Sequence, residues 1–157
     1  TTPADVLPRH IGHEERSARL LRGVCERWRV PVECRELADV VAREHGNLHR
    51  SAGLGAAALV RLLERCDAFR KPARFLDIVL ACECDARGRL GHAGDAYLQR
   101  ERLLPALQAA RSVVTADIAA QAQARGLKGP DVGALIHRAR VTEVAKALGE
   151  GALDRTP

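Results

Sequence analysis

Four of the six histidines fall in two short runs, P-R-H-I-G-H-E-E from Pro8 to Glu15 and R-E-H-G-N-L-H from Arg43 to His49. Imidazole is the usual neutral nitrogen ligand for transition metals and the side chain that titrates near neutral pH. A set of this kind suits a metal or phosphate site. The histidines of these runs, His13, His45 and His49 among them, could converge with the acid Asp85 across a bundle core, since helical proteins build metal sites from side chains on facing helices. Each also has a plainer role. Glu14 and Glu15 beside His13 suit the positive end of a helix, and His45 near a helix C-terminus suits the negative end. No spacing here has the specificity of H-E-x-x-H.

These side chains need helices to carry them, and the apolar period is helical nearly throughout. From Gly12 to Trp28, Ala18, Leu21, Val24, Cys25 and Trp28 recur at three and four and predict one apolar stripe. Val30-Pro31 ends that helix and opens the next, because Pro suits a first helical turn. The second helix is expected to stop at Gly46. His45 and His49, four apart, would share one face of a continuous helix. A stop at Gly46 and Asn47 argues against that pairing. A loop over 47–55 precedes a helix over 56–68, and Lys71-Pro72 introduces another over 72–86. Gly88, Gly91 and Gly94 mark an open loop. Further helices are expected over 96–111, with a bend at Pro105, over 115–125, with Thr115 as N-cap, and over 130–148. No alternating strand pattern and no repeat occurs. The expected fold is all-α, an irregular bundle of about seven helices. Its expected divisions are 1–112, 113–148 and a disordered tail over 149–157.

Composition agrees. The 157 residues suffice for one ordinary domain, and the apolar share is Ala, Leu and Val with few aromatics, which favours packed helices over sandwiches. No Met occurs, so Thr1 is expected to be an internal position of a longer protein. The five cysteines (Cys25, Cys34, Cys66, Cys82, Cys84) have no zinc-type spacing and are expected to be reduced thiols of a cytoplasmic protein. No membrane span or signal peptide is visible. The net charge of +5 points weakly to a polyanionic partner.

Seven anchors in order make the chain familiar. They are T-P from Thr2, P-R-H-I-G-H-E at Pro8–Glu14, R-V-P at Arg29–Pro31 and H-G-N-L-H at His45–His49. D-A-F-R-K-P at Asp67–Pro72, D-A-R-G-R-L-G at Asp85–Gly91 and G-L-K-G-P at Gly126–Pro130 complete the set. In their order and spacing, from about Thr2 to Leu148, the chain resembles the C-terminal portion of the bacterial multifunctional CCA proteins, tRNA nucleotidyltransferases that carry an HD phosphohydrolase domain. The resemblance implies the C-terminal half of an HD-type domain plus C-terminal helices. The family's paired His-Asp and an earlier His would lie upstream of Thr1, as would the nucleotidyltransferase head that selects CTP and ATP.

The resemblance implies two activities for a longer parent. One is addition and repair of the CCA end of tRNA. The other is metal-dependent hydrolysis of phosphomonoesters and cyclic phosphodiesters (2',3'-cyclic phosphodiesterase, 2'-nucleotidase and phosphatase). It makes His13, His45 and Asp85 the expected metal ligands, with Asp67 as runner-up to Asp85. Mg would serve nucleotidyl transfer, and Ni or Mn the HD site. A divalent ion can lower the pKa of bound water toward about 7. Arg87 and Arg89 could balance phosphate charge, or simply face solvent. Lys128 precedes the last helix, and a helix start beside a Lys suits a phosphate, although Asp131 there also suits plain capping. Arg138 and Arg140 follow, so phosphate and sugar contacts to tRNA are expected there. The isolated chain is expected to be inactive, supporting tRNA, with self-association through exposed apolar faces as a further expectation. The alternatives are a stand-alone HD-type phosphohydrolase and a non-catalytic helical interaction module.

Overall fold

The structure, a computed structural model, describes Asp5 and residues 11–150. The expectations for Thr2, for Pro8 to His10 and for the tail over 151–157 fall outside the described residues. Seven helices and no strand occur among the described residues, as the period requires. The chain forms two compact units, interleaved in sequence. Thr1–His49 with Ala73–Asp95 makes the first, and Arg50–Pro72 with Ala96–Pro157 the second.

The first unit carries α1 (His13–Arg27), α2 (Val32–His49) and nearly all of α4 (Pro72–Arg87). Gly12 starts α1 from the left-handed region, φ +74°, where a Cβ would be strained. Glu14 and Glu15 then meet the helix's positive end. α1 packs on α2 through a narrow seam, Ala18 and Cys25, seven residues apart. The expected broad stripe is therefore corrected. Val24 is 46% and Trp28 75% exposed, because with Leu20 they lie at four-residue steps on a face turned away from that seam. On α4 the buried set is Phe75, Ile78, Val79 and Cys82. Arg74 ties α4 to α2 by donating to Glu36 at 3.0 Å.

The second correction concerns Gly46. It does not stop α2, which runs on to His49. A helix-interior Gly costs about 1 kcal/mol relative to Ala. Leu48, fully buried, and a contact from His49 to α4 offset that cost.

The second unit carries a 3-10 turn at Ser51–Gly53, then α3 (Ala56–Arg65), α5 (Leu98–Arg111), α6 (Thr115–Ala124) and α7 (Pro130–Ala147). α3, α5 and α7 pack mutually, and α6 lies on α7. Leu59, Val60, Leu62 and Leu63 of α3 are fully buried, with Leu103 and Ala106 of α5 and Val144 of α7. Each large one contributes roughly 1.5–3 kcal/mol. Pro105 lies inside α5, which continues through it. Thr115 is not an N-cap, because the cap position is Val114 and no side chain caps the helix there. Asp117 in the first turn meets the helix dipole instead. Nor does Asp131 cap α7. Gly129, φ +49°, takes that position, and Pro130 follows at the first helical residue.

α3 likewise lacks a local cap, since Gly55 has no side chain to offer. The carboxylate of Glu150 does the work from across the unit, accepting from the Ala56 N–H at 2.8 Å and from the Arg102 guanidinium. Arg102 also donates to the Leu54 carbonyl at 2.6 Å. Replacing Glu150 with alanine is expected to cost about 1 kcal/mol, the usual worth of a lost N-cap. Thermal melting followed by circular dichroism should show a midpoint lowered by roughly 2–8 °C. An unchanged midpoint would mean the tie carries no stability.

Candidate metal half-site and basic groups

In the first unit α1 and α2 bring two imidazoles together. His13 Nε2 lies 2.9 Å from His45 Nε2, with the ring centroids 4.9 Å apart and edge to face. Arg43 fixes the two helices beside them, donating to Asp39 of α2 at 3.0 Å and to Glu15 of α1 at 3.1 Å. The hydrogen bond to Asp39, then its charge, holds the Arg43 guanidinium above its ordinary pKa, with Glu15 adding to the effect.

Backbone partners fix the hydrogen placement of His45. His45 Nδ1 sits 3.1 Å from the Val41 carbonyl and 3.2 Å from that of Ala42. A carbonyl only accepts, so Nδ1 carries the proton and the neutral ring keeps its lone pair on Nε2, toward His13. His13 Nδ1 is 3.4 Å from the Glu14 carboxylate. With Nδ1–H turned to that carboxylate, two nitrogen lone pairs would face each other. Two arrangements relieve this: a proton on His13 Nε2 donated to His45, or a cation bound by both. Two nitrogens at about 2.1 Å from one ion, at a right angle, lie about 3.0 Å apart. The observed separation fits adjacent ligand positions.

Asp85 does not join that pair. Its Oδ2 accepts from His49 Nε2 at 3.0 Å and lies 3.7 Å from Arg89 Nη2. His49, one turn beyond His45, stands edge-on to it at 6.0 Å between centroids. The four side chains therefore run in a row from His13 through His45 and His49 to Asp85. Among the described residues no three His, Cys, Asp or Glu side chains are grouped so as to hold a metal ion. Two imidazole nitrogens thus face each other, with a carboxylate-braced imidazole alongside. His49 is the one the sequence reading sets aside from His45. The four-residue spacing is the signal for their shared face, and Gly46 argues against it, but α2 runs through Gly46 to His49.

The other expected residues are scattered. Arg87 closes the loop after α4, donating to the Asp95 carbonyl at 3.2 Å and pairing with Glu83 at 3.0 Å. Asp67, in a left-handed turn at φ +53°, is gripped by Arg70 at 2.7 and 2.9 Å. In the second unit Lys128 and Arg138 are exposed. Arg140 is partly buried and its Cζ lies over the Phe69 ring, 3.8 Å from the centroid. Burial lowers its pKa, against a raising effect from Glu64. All five cysteines are free thiols. No helix of the described residues is long and apolar enough to cross a membrane.

No family model and no solved structure matches the chain. Curated relatives do. The chain is 79% identical over 140 residues to the multifunctional CCA protein of Paracidovorax citrulli, covering 89% of this chain and 33% of that protein. It is 72% identical over 148 residues to that of Acidovorax sp. (strain JS42), covering 94% and 35%. For that of Polaromonas naphthalenivorans the identity is 68% over 147 residues, covering 94% and 35%. Identity this high over nearly all of the chain places its sequence in the multifunctional CCA protein family, and the chain spans about a third of the length of these relatives.

Proposed function

We propose that the chain is the C-terminal part of a CCA-adding tRNA nucleotidyltransferase, contributing half of an HD-type metal site and a surface that supports tRNA. The 2.9 Å approach of His13 Nε2 to His45 Nε2 supports the metal site. The relatives' name supports the tRNA reaction. In this reading, CCA addition and repair with CTP and ATP, and the Mg that serves it, belong to residues outside this chain, in a cytoplasmic protein.

His13 and His45 would hold a divalent ion, Ni or Mn, as neutral nitrogen donors. Bound there, it supplies Lewis acidity for hydrolysis of phosphomonoesters and 2',3'-cyclic phosphodiesters. The Val41 and Ala42 carbonyls set the His45 tautomer, the role outer partners play for ligand histidines. Asp85 braces His49 and so acts through it. Arg89, beside Asp85, and Arg87 on the same turn add positive charge for a phosphate. Lys128 and Arg138 meet tRNA phosphates, and Arg140 is held over the Phe69 ring.

Two nitrogens do not make a hydrolytic centre, so the 157-residue chain alone should be inactive. Incubated with Ni2+ or Mn2+ and either p-nitrophenyl phosphate or 2',3'-cyclic AMP, it should give no turnover above the metal blank. Turnover by the chain alone, lost on His13→Ala, would replace this reading with that of a stand-alone phosphohydrolase.

A further inference from the structure

The first unit has a cleft of about 320 Å³ that neither the metal reading nor the tRNA reading uses. It lies between α1 and α2, with Arg74 of α4 at its edge. Leu21 and Val40, both half-buried, give it an apolar lining. Arg22 of α1 and Arg35 of α2 stand exposed at its rim. The two helices run antiparallel, since His13 meets His45 and Glu15 meets Arg43. From His13 to Arg22 the helix rises about 13 Å, so the cleft is well separated from the imidazole pair along the same seam.

Both acids of the cleft are already engaged. Glu36 accepts from Arg74 at 3.0 Å, and Asp39 accepts from Arg43 at 3.0 Å. Among the described residues no side chain pairs with Arg22 or Arg35. Two guanidinium groups from different helices are thus left unneutralised over one apolar lining. Like charges gathered at one cleft repel, and a dianion between them turns that repulsion into attraction.

Size and charge narrow the occupant. Small-molecule sites run from about 300 to 1,000 Å³, with apolar walls and a few placed polar groups. This cleft is at the low end of that range, which suits one ring and one charged head. A carboxylate is satisfied by a single arginine fork, whereas a phosphomonoester has the oxygens and the charge for two. Guanidinium groups also stack on aromatic faces. We infer that the cleft binds a small aromatic phosphomonoester, its phosphate between Arg22 and Arg35 and its ring against Leu21 and Val40. Binding there needs no metal, and the inference rests on neither reading given under the proposed function.

The test is isothermal titration of phenyl phosphate into the full 157-residue chain in EDTA, at about pH 7.5, where a phosphomonoester is close to dianionic. For a ligand of this size the expected Kd is on the order of 1 mM. Inorganic phosphate, which lacks the ring, and benzoate, which lacks the second charge, should each bind about tenfold more weakly. Arg35→Gln should weaken phenyl phosphate by about tenfold, and Arg22→Gln with Arg35→Gln by about 100-fold, beyond detectable saturation. Both arginines are exposed, so circular dichroism of the double variant should match wild type. His13→Ala should leave the affinity unchanged. Absence of saturation with the wild-type chain, or undiminished affinity in the folded double variant, would overturn the inference. Inorganic phosphate or benzoate binding as tightly as phenyl phosphate would overturn the ligand class. A loss in His13→Ala equal to that in the double variant would seat the phosphate at the imidazole pair and overturn the cleft.

Discussion

Replacing His45 with alanine is expected to lower Ni2+ affinity by about 100-fold or more, and replacing Asp85 with asparagine by about tenfold or less. The order of the two follows from the geometry. His45 presents a nitrogen lone pair into the 2.9 Å gap, and its ring is held there by two backbone carbonyls. Loss of an outer hydrogen-bond partner alone typically costs 10–100-fold in metal affinity. Loss of the ligand itself should exceed that. Asp85 is one imidazole further out, on His49 Nε2. Its removal should loosen His49 and release Arg89, leaving the nitrogen pair in place. Isothermal titration at fixed pH measures both. A larger loss for Asp85→Asn than for His45→Ala would make Asp85 a direct ligand. No loss for either would leave a proton as what the two imidazoles share. Both residues are partly or fully exposed, so neither change removes core packing.

That contrast also marks how far residue types and spacing reached. Helical class was legible because apolar residues recur at three and four, as in Phe75, Ile78, Val79 and Cys82. Starts at Pro72 and Pro130 were legible because a fixed φ and a missing N–H suit a first turn. The imidazoles were legible as chemistry. Their partners were not, because a partner depends on which helices meet. His13 finds His45 only because α1 and α2 lie together, 32 residues apart in sequence. Gly46 misled for a related reason. Local propensity says stop, while Leu48 in the core and His49 on Asp85 hold the next turn. α1 misled in the opposite sense. Its apolar residues spread round the helix, and only Ala18 and Cys25 are buried, so period alone overstated the core. The packing of α3 on α7 was not legible, because it depends on the interleaving that brings 50–72 beside 96–157.

The second large effect concerns Cys82. Its thiol is fully buried on α4, and burial, followed by the charge of Asp85 one turn on, pushes it up to about 12 from an ordinary 9.0. In the unfolded chain the thiol ionises near its ordinary value, while in the folded chain it stays protonated. Between about pH 9 and 12 the folded state therefore holds more protons than the unfolded state, and stability falls as pH rises. Below pH 9 both states are protonated and the term vanishes. At about 1.4 kcal/mol per unit, three units give a loss on the order of 4 kcal/mol at the alkaline end. The useful quantity is a difference between variants. Cys82→Ala should be less stable than wild type at pH 7, since a buried group is lost, and the gap should close progressively above pH 9. Urea unfolding at pH 7, 9 and 10.5 measures it. Asp85→Asn should weaken the same dependence, because it removes the second cause. A gap between wild type and Cys82→Ala that stays constant from pH 7 to 10.5 would mean that the folded chain admits a thiolate at position 82. The α4 core beside His49 and Asp85 would then be open to water.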